Sequence, residues 1–117
     1  MLIQTRIFKL AKGHAEDMAA KFSQESPVDG FAGLIDRTVM VNSRNKEYDE
    51  VMVMIRWESS EAWKNWEKSD VHLAGHRAKR GNNDPDYVLD KKVAMYETYA
   101  VIQGPAREDP IFLFKNR

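Results

Sequence analysis

The chain has no cysteine. That excludes disulfides and thiolate metal sites, and it removes any requirement for an oxidising compartment. Nor is there an excess of charge of either sign, since 18 basic residues balance 18 acidic ones. A binder of nucleic acid or of an acidic membrane usually carries a basic surplus, so neither partner is expected. No run approaches the ~20 apolar residues of a membrane-spanning helix. The opening stretch, MLIQTRIFKLAKG, is too short and too polar for a signal peptide. These absences lead to the expectation of a soluble, cytoplasmic protein.

Apolar residues make up 43% of the 117 positions, enough for the core of one domain. Residues 2–10 alternate loosely and predict a strand, with Ile3, Thr5, Ile7 and Lys9 on one face and Leu2, Gln4, Arg6, Phe8 and Leu10 on the other. After Gly13, the apolar residues Ala15, Met18, Ala19 and Phe22 recur at helical spacing. The breaker cluster Ser26, Pro27, Asp29 and Gly30 precedes a predicted strand over 31–42. Residues 48–58 predict another strand, with Val51, Val53, Ile55 and Trp57 on one face and Met52 and Met54 on the other. Ser59 or Ser60 can cap a short helix, and Ser69-Asp70 a second one. Residues 87–102 alternate as a long last strand, which Gly104-Pro105 breaks.

The order β-α-β-β-α-β, with its second helical region split, predicts the α+β, ferredoxin-like class: an antiparallel sheet with helices on one face. The bare sheet face needs cover, and a homodimer packed sheet against sheet, a dimeric α+β barrel, supplies it. Residues 1–104 form the expected domain and 105–117 a C-terminal tail, whose apolar knot Ile111 to Phe114 also calls for a surface.

Two of the three tryptophans and two of the three histidines fall within 63–81, WKNWEKSDVHLAGHRAKRG. Read from residue types alone, three possibilities stand. Trp63 and Trp66 can be core, with Arg77, Lys79 and Arg80 a solvated helix end. His72 and His76, four apart, share a helix face as in zinc proteins. Zinc wants a third protein ligand, however, and the remaining histidine, His14, is far away. Finally, an imidazole beside aromatics and cations suits haem, whose iron takes a neutral imidazole and whose propionates take cations. Gly75 would leave a flat macrocycle room to approach. His72 is expected at the surface.

The stretch YDEVMVMIRWESSEAWKNWEKSDVHLAGHRAKRGN resembles the IsdG-type haem-degrading monooxygenases of the antibiotic-biosynthesis monooxygenase superfamily. Trp66 and His76 match that family's tryptophan and histidine ten positions apart, in the context W-x-x-S-D-V-x-x-x-x-H. The likeness spans most of residues 1–102 and leaves the tail uncovered. It implies a homodimer with one haem per subunit, haem being both substrate and cofactor, opened with O2 and an external reductant to release iron. His76 would be the proximal iron ligand and Trp66 would press on the porphyrin. Phe22, Arg77 and Arg80 would line the haem site. The family's first-strand catalytic asparagine is replaced by Thr5 in the run Thr5-Arg6-Ile7, and Arg6 is expected on the opposite face. Thr5 leaves open a second reading, a haem chaperone or buffer with little turnover. A third is a cofactor-free monooxygenase of the superfamily acting on a quinol or polyketide aromatic.

Overall fold

The computed structural model of the chain describes residues 1–79, 81 and 83–106. Four strands, β1 (Leu2–Ala11), β2 (Leu34–Asn42), β3 (Tyr48–Trp57) and β4 (Val88–Glu97), form one sheet in the order β2-β3-β1-β4. All three pairings are antiparallel. Helices α1 (Ala15–Phe22), α2 (Ser60–Glu67) and α3 (Asp70–Lys79) lie on one side, so the ferredoxin-like α+β order holds.

Register fixes which side each strand residue takes. Phe8 pairs with Val51, Arg6 with Val53, and Leu2 with Trp57. Val51, Val53 and Trp57 are buried under the helices, so Leu2, Gln4, Arg6, Phe8 and Leu10 share the helix face. Thr5 pairs with Met54 and Ala94, and Ile7 with Met52, on the opposite, helix-free face. Beneath α1, Met18 and Ala15 close on Phe8, Leu10, Val51 and Val53. Beneath α2, Ala62 closes on Leu2, Val28 and Trp57.

Buried side chains of one charge are matched by the other. Asp49 is 3% exposed, receives the Gly13 N–H at 2.9 Å and pairs with Lys12 Nζ at 2.8 Å. Lys12, followed by that N–H, holds the Asp49 carboxyl below the usual carboxylate range. Arg37 donates to the Phe22 and Gln24 carbonyl oxygens at the end of α1 and to Asp29 in the turn 27–30. Its guanidinium lowers Asp29 in turn.

Two predicted boundaries move. β2 starts at Leu34, because residues 31–33 turn through Gly33 at φ +92°, where a Cβ would collide with that of Ala62. β4 ends at Glu97, short of 102: Glu97 pairs with Leu2, the first residue of β1, and Thr98 N–H reaches the Met1 carbonyl at 2.8 Å. Tyr99, Val101 and Ile102 are exposed. The apolar knot 111–114 lies outside the described residues.

Candidate active site

α1 and α2 cover the helix face of β2 and β3 and both ends of β1. Midway along β1 that face is more open: Gln4 and Arg6 stand beside Met95 and Val93 on β4. Val93 is 54% exposed and Met95 38%. A floor that combines apolar side chains with a cation suits a flat, apolar group with an anionic edge.

The α2–α3 wall is built by two caps. Ser59 Oγ accepts the Ala62 N–H at 3.1 Å and starts α2. Ser69 Oγ accepts the His72 N–H at 3.2 Å, starting α3, and donates to the Trp66 carbonyl at 2.7 Å. One hydroxyl thus ties the Trp66 turn to the His72 turn. The rings follow in a row from core to surface. Trp57 meets Phe31 at 6.3 Å between centroids, and Phe31 meets Trp66 at 5.2 Å. Trp66 meets His72 at 4.9 Å, and His72 meets His76 at 4.4 Å. Trp57 is buried and His76 exposed.

Trp66 and His76 are therefore joined through His72. This corrects the expectation that His72 is a surface residue: its side chain is only 18% exposed and binds Glu67 Oε2 at 2.6 Å. Its Nε2 also lies 3.0 Å from His76 Nε2. Glu67 is the residue that sequence reasoning missed. Helical spacing could pair His72 with His76, but Glu67 is on the other side of a helix break.

Thr5 is not brought to this wall. It lies on the opposite sheet face, 9% exposed, with its hydroxyl 3.5 Å from the Ala94 carbonyl, too long for a strong hydrogen bond. Its neighbour Arg6 faces the helix side instead, so Thr5 does not stand beside Trp66 and His76 as expected. Phe22 belongs to the α1 cluster, its ring 5.0 Å from that of Phe8, rather than to the α2–α3 wall. It borders a hollow of about 230 Å³ with Ser23, Arg37 and Val39. Trp63 packs in the core below α2. Arg77 is exposed in the last turn of α3; Arg80 lies outside the described residues. His14 stacks on Tyr87 at 4.4 Å, apart from the other histidines.

Comparison with known proteins shows the family. The antibiotic biosynthesis monooxygenase family matches residues 1–78. The heme-degrading monooxygenase HmoA of Bacillus subtilis (strain 168) is 44% identical over 104 residues, 89% of this chain and 96% of that protein. A heme-degrading monooxygenase of Halalkalibacterium halodurans is 31% identical over 105 residues, 90% of this chain and 87% of its own. Among solved structures, a candidate antibiotic biosynthesis monooxygenase from Bacillus cereus superposes with a TM-score of 0.75 at 36% identity, covering 88% of this chain and 97% of that one. The heme-degrader MhuD of Mycobacterium tuberculosis, solved with two hemes in its active site, shares the fold with a TM-score of 0.63 at 14% identity, covering 88% and 100%. The chain belongs to the antibiotic biosynthesis monooxygenase family, as a relative of its heme-degrading members.

Proposed function

We propose that the protein is a haem-degrading monooxygenase that binds haem over the open β1–β4 floor, against the α2–α3 wall, and opens the ring with O2 and an external reductant, releasing iron. The observation that carries this reading is the row of rings that runs from Trp66 through His72 to His76, exposed on α3. The residues fit the group. His76 offers an imidazole nitrogen at the protein surface. Gly75 before it has open space where a Cβ would stand. Arg6 and Arg77 are exposed cations for the propionates. Haem, when bound, supplies both the iron that activates dioxygen and the ring that is opened.

The chain's own residues bind, orient and exclude water. His76 would hold the iron through its imidazole. Trp66, braced by Phe31, gives the macrocycle a rigid edge to bear on. With Thr5 on the far face, its replacement of an asparagine no longer argues for a haem chaperone without turnover.

The helix-free face supports a homodimer. Ile3, Ile7, Met52 and Met54 surround Thr5 there and are only half-buried in one chain. A second copy packed sheet against sheet would cover them, and Tyr99, Val101 and Ile102 beyond β4 are apolar and exposed for the same use. Thr5→Arg, a charge at the centre of that face, should shift the mass measured by light scattering from dimer to monomer. An unchanged mass would refute this interface.

The functional test is a haemin titration followed by ascorbate in air. A Soret band that forms and then bleaches, with iron captured by a ferrous chelator, is the expected result. A stable complex would reduce the protein to a haem binder, and a titration without a Soret change would remove haem altogether.

A further inference from the structure

We propose that Gln4 and Arg6 form a fixed anchor for one carboxylate of the ligand, and so select a macrocycle with free acid side chains and set how it is turned on the floor. The inference deepens the haem reading and rests on it. On the helix face of β1, Leu2, Phe8 and Leu10 are buried apolar side chains, and Gln4 and Arg6 stand between them. The core divides at the same place. Phe8 and Leu10 belong to the cluster under α1 and Leu2 to the cluster under α2, while Ile55, the partner of Gln4, packs against both.

The polar pair is unmatched. Among the described residues, neither side chain makes a hydrogen bond or an ion pair. Val53 and Ile55 flank them from β3, and Val93 and Met95 from β4. The next residue along that face of β4, Glu97, already accepts the Ser60 hydroxyl at 2.6 Å. A gap meant only for water would be polar throughout, yet exposed Val93 and Met95 lie beside the unmatched donors. Apolar surface next to free donors suits a ligand with an apolar body and an anionic edge.

The chemistry of the pair chooses the anion. A guanidinium presents parallel N–H donors that match both oxygens of a carboxylate. The Gln4 amide adds a further N–H donor. Two residues apart on one strand, their Cα atoms are separated by about 6.5–7 Å, so both side chains can reach one carboxylate. β1 is bonded to β3 on one side and to β4 on the other, which fixes the base of the anchor. Arg77 stands instead in the last turn of a helix that buries no residue, and supplies charge without a fixed position. The two propionates of haem leave one edge of the ring. Holding one of them fixes the rotation of the ring in its own plane, and with it the meso carbon presented for opening.

The test titrates the full chain with haemin and with haemin dimethyl ester, which has the same iron and ring but no carboxylate, and follows the Soret band. The parent should bind haemin about tenfold more tightly than the ester. Arg6→Met should lower haemin affinity about tenfold and leave ester affinity within about twofold, erasing the preference. Arg6→Lys, which keeps the charge but not the paired donors, should fall between. Gln4→Leu should lower haemin affinity about threefold. Melting by circular dichroism should not change in Arg6→Met, since Arg6 is exposed. Its ring-opened products should spread over more meso isomers than those of the parent. A parent that binds both probes equally, a preference that survives Arg6→Met, or a loss shared by the two probes would overturn the anchor. An isomer pattern unchanged in Arg6→Met would overturn its orienting role. A parent whose Soret band responds to neither probe would instead defeat the haem reading, and the anchor with it.

Discussion

Helices α1 and α3 lie on the same side of one sheet and are held in opposite ways. α1 drives Met18, 1% exposed, and Ala15 into the β-sheet, and Arg37 ties down its end. α3 buries no residue and is held by one cap and a row of rings. Burying a large apolar side chain contributes about 1.5–3 kcal/mol, so α1 is a load on the fold's stability and α3 nearly weightless to it. The helix that carries His72 and His76 is the one the core can do without.

The sharpest way to break the comparison is a pair of truncations. Met18→Ala should lower unfolding stability by about 2–5 kcal/mol, read from urea melts, while leaving any haemin Soret maximum where it was. His76→Ala should do the reverse: a stability change within about 0.5 kcal/mol, with loss of the axial-ligand signature and of turnover. Equal stability losses in the two variants would erase the distinction. Between the halves sits Gly33, whose φ of +92° and closeness to Ala62 couple the β2 entry to α2. Gly33→Ala combines a positive-φ penalty with overpacking, about 3 kcal/mol in all, and should release α2 and with it Trp66. A melt unchanged from the parent would mean that the turn yields without cost.

The halves also differ in how far the sequence disclosed them. The α1 half was legible because its signals are local: period-2 alternation in β1 and β3, helical spacing through Met18 and Phe22, acidic residues opening the helix. Both serine caps were legible for the same reason. The edges of β2 and β4 were not, since a strand ends where its partner does, and Glu97 and Thr98 meet the first residues of the chain. Within the site, the spacing of Trp66 and His76 was visible, but their connection was not. Glu67 reaches His72 across a helix break whose angle no spacing rule supplies. Alternation separated Thr5 from Arg6, but which of the two shares the helix face needed the register against Val53 and the core around it.

Acid should loosen the α1 half first. Asp49 is lowered by Lys12, Asp29 by Arg37 and Asp36 by Arg56, each through a hydrogen bond to the carboxylate. A carboxyl with a depressed folded value binds fewer protons folded than unfolded. Its contribution is therefore complete above the unfolded value of about 3.9 and is lost as pH falls through the lowered folded value. Melting temperature should be flat from neutrality down to about pH 5 and then drop. Lys12→Met, which removes the first cause of the Asp49 shift, should flatten that drop. A drop of the same depth in the variant would assign the acid sensitivity elsewhere.

The finest test separates stability from binding at a single methyl group. Gly75 lies inside α3, where glycine costs about 1 kcal/mol relative to alanine. Nothing stands within 4 Å of the Cβ position, so Gly75→Ala meets no clash in the ligand-free chain. It should raise the melting temperature by a few degrees. The same methyl group would project from the residue before His76, into the approach of a planar macrocycle, so haemin affinity should fall severalfold in the more stable protein. A residue of α1 offers no such opposition, because its surroundings are already filled. If Gly75→Ala strengthened the fold and bound haemin as the parent does, the ring would have to approach His76 from the other side of α3, away from the Gly75 backbone.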